Sequence, residues 1–426
     1  VSRFLEVADH LLGQARFIQA LTATSIGVAV LAPLIVRLSG WAGLAGVLAV
    51  LVVLAAGSLW SMRLELEVRY VPITLAAFVA YAALSIVWSR YTGAAALGVL
   101  ELVAFGLLGA YVALTRDISQ IVRAFGGVLR LVLLGSFVIE MLLGIVLDMP
   151  LPGLGVHGNL IRLGPVQGLM GRAELMGIVA VLALVTFVVE LRMRSMPLWP
   201  GLAWVAGAVA ALLLSRSSTA LVLALVAVAA YGALAFIRAA QPALRTSRQV
   251  AVALVGVAVG VVVYAARWPL VDLLGGTTEA LYRIDVWRQV LALQRVQSQW
   301  LEGRGFVGRW NLDVAPYSEI ANVQSRQVVD ASSAYIDALV QVGALGFAIF
   351  LLALAAATGR SWLLASRKRS VVYVWPAVVL AVMVASGFAT SIMLFELGWL
   401  LVVVCAVKAS HQITWRSALD VRPPAG

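Results

Sequence analysis

The chain has 426 residues, of which 62% are hydrophobic and only 12% charged, whereas a soluble globular domain carries about 45–50% apolar and about 25% charged residues. That balance excludes an ordinary cytosolic enzyme, a disordered chain and a nucleic-acid-binding module. With apolar runs repeating from end to end, the chain reads as a polytopic membrane protein, and its net charge of +11 reflects topology rather than a nucleic-acid partner.

Stretches near the ~20 apolar residues that a bilayer core requires occur at 17–37, 41–60, 71–88, 93–114, 124–147, 167–189, 199–214, 217–237, 249–266, 332–357, 371–390 and 393–409. They predict an all-α protein of about twelve transmembrane helices, or ten or eleven if the short seventh and twelfth stretches do not cross. Residues 1–266 would hold the first nine helices. Residues 267–331 would form one large extracytoplasmic loop, and 332–426 the last three helices and a cytoplasmic tail.

Basic residues set the expected orientation. Both ends and the even-numbered connections hold Arg3, Arg16, Arg63, Arg69, Arg116, Arg123, Arg192, Arg194, Arg238, Arg245, Arg248, Arg360, Arg367, Lys368, Arg369, Lys408, Arg416 and Arg422. The short odd-numbered connections hold little beyond Arg37, Arg90, Arg162 and Arg216. The positive-inside bias then puts both termini in the cytoplasm, in a multi-pass protein of the cytoplasmic membrane. No cleavable signal peptide is expected ahead of the first span. The single cysteine, Cys405, excludes an intramolecular disulfide and a cysteine-cluster metal site.

Two outer segments exceed a turn. Residues 148–166 are rich in Gly and Pro. Residues 267–331 carry seven arginines and seven acids, so this segment is polar and near neutral. Within it, 278–300 reads as an amphipathic helix, with Ile284, Trp287 and Leu291 at helical spacing and Arg283, Arg288 and Arg295 off that stripe. Gly303-Arg304-Gly305 ends it.

Charges at membrane depth are expensive and usually face a protein interior or a wet cavity. The candidates are Glu101, Glu140, Arg172, Glu174, Arg216, Asp337 and Glu396. Arg172, Arg216, Arg283, Arg288 and Arg304 together supply guanidiniums to the outer side, and two or three that converge are what a diphosphate leaving group requires. Fixed donors in a partly dry cavity stabilise charge that builds on the departing phosphate oxygens. The plainer readings are snorkelling arginines at helix ends, preferred for Arg37 and Arg90, and loop arginines paired with the loop's own acids. Glu101 and Glu140 read as helix-pairing groups. His10, His157 and His411 are scattered, so no metal spacing exists. There is no P-loop or dinucleotide fingerprint, which speaks against a nucleotide-driven pump.

Four segments carry a family resemblance. GLMGRAELMGIVAVLALVTF resembles the "RNLLG" segment of the O-antigen ligase and polymerase superfamily, in its exopolysaccharide-polymerase-like branch. LLLSRSSTALVLALVAVAAY resembles that family's Ser-Arg-Ser/Thr segment. RIDVWRQVLALQRVQSQWLEGRGFVGRWN resembles its R-x-x-x-W … G-x-G-x-x-x-W loop, and DASSAYIDALVQVGALGFAIFLLAL resembles the segment that leads into a late span. Order and spacing agree across roughly residues 160–357.

The resemblance implies a GT-C-type membrane glycosyltransferase that needs neither metal nor nucleotide. Its partners would be a polyprenyl-diphosphate-linked glycan donor, a glycan or glycolipid acceptor and the lipid bilayer. Carried over residue by residue, Arg172, Arg216 and Arg283 would grip phosphate and Trp287 would orient the loop helix, with Arg288, Arg304 and Tyr335 lining the substrate. Ser332-Ser333 stands where the family has His-Asn, and Glu174 where it has Asn. Because a serine lacks useful basicity without an activating neighbour, Asp330 or Glu174 could serve as base, with Asp330 or Ser332 near the acceptor, or the chain could use arginines only. A lipid-linked glycan flippase or solute carrier and a non-catalytic homologue in a polysaccharide assembly complex are the rival readings.

Overall fold

The computed structural model describes residues 12–62, 72–146, 151, 153, 155–160, 163–296, 300–310, 317, 322–324 and 326–412. Arg3, His10, Arg63, Arg69, Arg162, Arg416 and Arg422 lie outside the described residues, as do the side chains of Arg295 and His411.

Among the described residues the architecture is all-α apart from one two-residue strand pair. Helix α1 (Ala15–Ser61) is followed by α2 (Ile73–Leu84), α3 (Thr92–Thr115), α4 (Ile118–Met141), α5 (Ala173–Arg192), α6 (Leu198–Leu214), α7 (Ser218–Arg238) and α8 (Arg245–Ala265). Then come α9 (Arg267–Leu273), α10 (Thr277–Val296), strands β1 (Asn322–Val323) and β2 (Arg326–Gln327), and helices α11 (Ala334–Arg367), α12 (Val374–Ser386) and α13 (Glu396–Gln412). Among the described residues seven helical segments are long and apolar enough to cross a membrane, and three shorter apolar helices accompany them. The 47-residue α1 covers two of the expected stretches and breaks between them at Gly40, whose φ is 70°.

Helices α5, α12 and α13 form the centre of the bundle, and most residues along them are buried. Between helices in lipid the hydrophobic effect gives little drive, so close approach and polar bonds do the packing. Gly106 and Gly109 of α3 sit against Trp399 and Val403 of α13, and the Trp399 indole N–H donates to the Leu102 carbonyl at 2.8 Å. The Trp375 indole of α12 donates to Thr186 of α5 at 3.0 Å. Helix α8, by contrast, buries no residue.

One end of the bundle is basic and the other is covered by loops. At the basic end Arg238 donates to the carbonyls of Ala365, Arg369 and Ser370, which joins the end of α7 to the end of α11. At the opposite end residues 300–310 dock on α11 where that helix breaks at Gly343 (φ 66°). The break frees backbone groups that must be repaired. Arg304 N–H and Gly305 N–H donate to the carbonyls of Val340 and Gln341, while Ala344 and Leu345 donate to Trp300 and Leu301. The two backbones pack so tightly that a Cβ on either Gly303 or Gly343 would collide with the other strand.

Helix α10 differs from the expected amphipathic stripe. Its most buried side chains are Tyr282, Val286 and Val290, and Arg283 shares that face at i, i+3 and i+7 spacing. Trp287 is only partly buried against the cluster. A polar sequence with few large apolar residues conceals which face is turned inward, and two valines decide it.

Candidate functional site

Placing Arg283 on the inner face of α10 brings it to the N-terminal ends of two membrane helices. Its guanidinium donates to Glu174 in the first turn of α5 at 2.6 Å and to the Thr219 hydroxyl in the first turn of α7 at 2.9 Å. Arg283 retains only 13% side-chain exposure. Arg216 stands three residues before Thr219, exposed, with a left-handed φ of 48°. Its side chain lies along Gly164, and Val166 N–H donates to the Leu214 carbonyl, which ties residues 164–166 to that turn. The same segment runs on to Arg172, the exposed residue immediately before α5. Arg172, Glu174, Arg216 and Arg283 are thereby gathered around the starts of α5 and α7.

The segment between Gly164 and Arg172 is itself pinned from α4. One Glu140 oxygen accepts from the backbone N–H groups of Gln167 (2.8 Å) and Gly168 (3.0 Å), and the Ser136 hydroxyl accepts from Leu169. This is a structural task for Glu140, one that turns a costly buried carboxylate into a clamp on loop backbone.

A second group of polar bonds holds the loop to α11. Asp337 is fully buried; one oxygen accepts from Ala331 N–H at 3.1 Å and the other from the Gln341 amide at 2.9 Å. The Gln341 amide oxygen accepts from Val307 and Gly308 N–H, and its nitrogen donates to the Gly308 carbonyl. The Trp287 indole donates to the Ala331 carbonyl at 3.0 Å. Helix α10 and the 307–308 segment are thus both registered against the same turn of α11.

Next to Gly308 lies the densest charge cluster among the described residues. Arg309 meets Glu396 through two parallel hydrogen bonds of 2.8 Å and reaches Asp330 at 3.5 Å. Its guanidinium lies over the Phe395 ring, 4.9 Å from the centroid. Burial works against the Arg309 charge, but the Glu396 carboxylate, its hydrogen bonds and Asp330 outweigh it and hold the group above its ordinary value. Glu101 of α3 faces this cluster, and its Oε1 is buried without a hydrogen-bond partner. Arg309 and Glu396 are the polar lining of a cleft otherwise formed by apolar residues, Ala29, Val30, Leu175 and Val179 among them. Asp330 links the cluster to the other group. It lies within electrostatic range of Glu174 and of Tyr282, whose phenol is raised by burial and then by Asp330, against Arg326 and Arg172.

The remaining expected site residues are placed as follows. Glu174 has its ion pair with Arg283 of α10, while Arg172 is exposed and lies in electrostatic range of Tyr282. Arg288 is 77% exposed and faces only Asp285, at 3.7 Å. Arg304 is buried, with Tyr317 in its field. The Tyr335 hydroxyl is committed to the Val384 carbonyl at 2.7 Å. Ser332 adopts a left-handed φ of 50°, and its N–H donates to Asp330 at 2.8 Å. Ser333 donates its hydroxyl to the Gly387 carbonyl. Among the described residues no group of three His, Cys, Asp or Glu side chains could hold a metal ion.

Sequence reasoning passed over Arg309, Asp337's partner Gln341, and Thr219. Arg309 sits in a polar loop, where an arginine reads as solvated. The available signal was its place in GFVGRWN together with the isolated acid Glu396 in an apolar run, since a buried carboxylate demands a cation from somewhere.

Fold and site together define a polytopic membrane protein with a charged, loop-covered centre at one end of its helices. Residues 201–351, about a third of the chain, match the family model described as O-antigen ligase. That segment is similar to the O-antigen ligase family. It contains Arg216, Arg283, Trp287, Arg309, Asp330 and Ser332, whereas Arg172, Glu174 and Glu396 lie outside it. No curated protein matches the chain.

Proposed function

We propose that this chain is a metal- and nucleotide-independent glycosyltransferase of the cytoplasmic membrane, which takes a glycan from a polyprenyl-diphosphate carrier on the outer face and passes it to a glycan or glycolipid hydroxyl. The loop-covered end would face outward and both termini the cytoplasm, as the positive-inside bias requires. The observation that carries this reading is the gathering of Arg172, Arg216 and Arg283 at the first turns of α5 and α7, beside a half-buried carboxylate, Asp330.

In the transfer step the bond from the anomeric carbon to the diphosphate oxygen breaks and a new bond forms to the acceptor oxygen. The electron pair leaves with the carrier diphosphate, whose oxygens face the guanidiniums. The acceptor's proton passes to the Asp330 carboxylate. Helix N-termini add their own partial positive charge to the phosphate side. Arg283 must exchange Glu174 for phosphate when donor arrives, and Thr219 keeps the guanidinium in place as it does so.

The test is transfer by purified protein, given lipid-linked glycan extracted from a host deleted for the chain. Arg283→Ala is expected to lower turnover at least about a hundredfold while the protein stays monodisperse. Wild-type turnover in both Arg283→Ala and Arg216→Ala would end the proposal, and solute movement without lengthened or relocated glycan would favour a carrier.

A further inference from the structure

Resting on that reading, we infer that Glu396 is a positioning residue for the transfer, acting through Arg309 to keep the Asp330 carboxylate available to the acceptor.

A guanidinium presents two edges that can each take a carboxylate through parallel hydrogen bonds. Glu396 occupies one edge completely, accepting from Nε at 2.8 Å and from Nη2 at 2.8 Å. Held in that orientation, the guanidinium meets Asp330 through Nη1 at 3.5 Å, outside good hydrogen-bond range. Asp330 therefore has a cation alongside without being clamped by it. Its other oxygen accepts the Ser332 N–H at 2.8 Å, so the carboxylate is oriented from two sides.

The backbone around both residues is fixed independently of this pair. Gln341 binds Gly308, the neighbour of Arg309, on both its N–H and its carbonyl. Trp310 N–H donates to the Val329 carbonyl at 2.8 Å, which ties the Arg309 segment to the Asp330 segment. Phe395 supports the guanidinium face from below. With the main chain held, the guanidinium's choice between Glu396 and Asp330 is a side-chain event. Removing the Glu396 charge lets Arg309 turn its full edge to Asp330. A carboxylate so clamped binds a proton less readily and is a poorer base.

The charged and titratable groups that face this relay are Glu101 of α3 and Glu396 of α13 on the Arg309 side. On the Asp330 side they are Glu174 of α5, Tyr282 of α10 and Asp337 of α11. The cations nearby are Arg283, which is paired with Glu174, and Arg172 and Arg326 in the field of Tyr282, while Arg309 is the one in ion-pair range of Asp330 among the described residues and carries the interaction that Glu396 tunes.

The experiment measures pH–rate profiles of glycan transfer by the full-length protein in detergent, with extracted lipid-linked glycan as donor. Glu396→Gln is expected to lower kcat about tenfold or more, leave the donor KM within about twofold, and move the acidic limb to lower pH. The double variant Arg309→Gln/Glu396→Gln keeps a neutral hydrogen-bonded pair and leaves no buried charge uncompensated, so it remains informative if the single variant fails to fold. With the cation gone, its acidic limb is expected to move the other way, to higher pH. A purely structural pair would lower the yield of folded protein and leave both limbs where they are, and that result overturns the inference. Asp330→Asn separates the two levels: full activity in that variant removes the base assignment itself, whereas loss of activity there with unmoved limbs in the Glu396 variants removes only the relay.

Discussion

Among the described residues two buried Arg–Glu pairs stand out, and by burial they are twins. Arg309 and Glu396 keep 16% and 5% of their side-chain exposure, and Arg130 and Glu190 keep 16% and 4%. Each guanidinium lies over a phenylalanine, Phe395 in the first pair and Phe187 in the second. The difference is in what else they touch. Arg130 and Glu190 join the consecutive helices α4 and α5, with Gly126 making room for the carboxylate, and Arg130 Nε has no partner. Arg309 comes from a loop, has Asp330 as a second carboxylate and Glu101 as a third in its field, and lines a cleft. Burial and pairing therefore do not separate a strut from a site; a shared third group and an adjoining cavity do.

Substitutions sharpen this contrast in order of expected size. Arg309→Ala leaves Glu396 and Asp330 without their cation, and transfer by the folded fraction is expected to fall at least about a hundredfold. Arg130→Ala strands a buried carboxylate and is expected to cost about 3–5 kcal/mol of stability, read as a lower melting temperature in detergent, with turnover per folded molecule unchanged. Should Arg130→Ala instead abolish turnover without lowering the melting temperature, the two pairs would not differ in kind. Replacing Arg130 and Glu190 together by apolar residues of similar volume is expected to restore most of that stability. The smallest effect belongs to Arg288→Ala, since a 77%-exposed guanidinium contributes little; turnover within about twofold of wild type is expected.

Most of the helices were legible because the bilayer sets a length that apolar runs either meet or miss. The expected boundary at 38–40 coincides with the break at Gly40. The break at Gly343 was not legible: the run 332–357 continues through it, and its backbone is repaired by residues 300–305, which are distant in sequence. In the site, Glu174, Glu396 and Arg216 stood out as charges against apolar sequence. The partner of Glu174 was not legible, because Arg283 lies 109 residues away and proximity in sequence is the only proximity a sequence displays. The inward face of α10 turned on Val286 and Val290, too modest a signal against Ile284, Trp287 and Leu291. Arg309 was hidden by the reverse circumstance: in a loop with equal numbers of arginines and acids, nothing in its own neighbourhood marked it as buried.

The central claim is that guanidiniums at the starts of α5 and α7 receive the carrier's diphosphate. Binding of undecaprenyl diphosphate to the purified full-length protein in nanodiscs addresses it without any need to know the sugar. Saturable binding by wild type, weakened at least about tenfold in Arg283→Ala and again in Arg216→Ala, is the result expected. Equal binding by wild type and both variants would contradict the account.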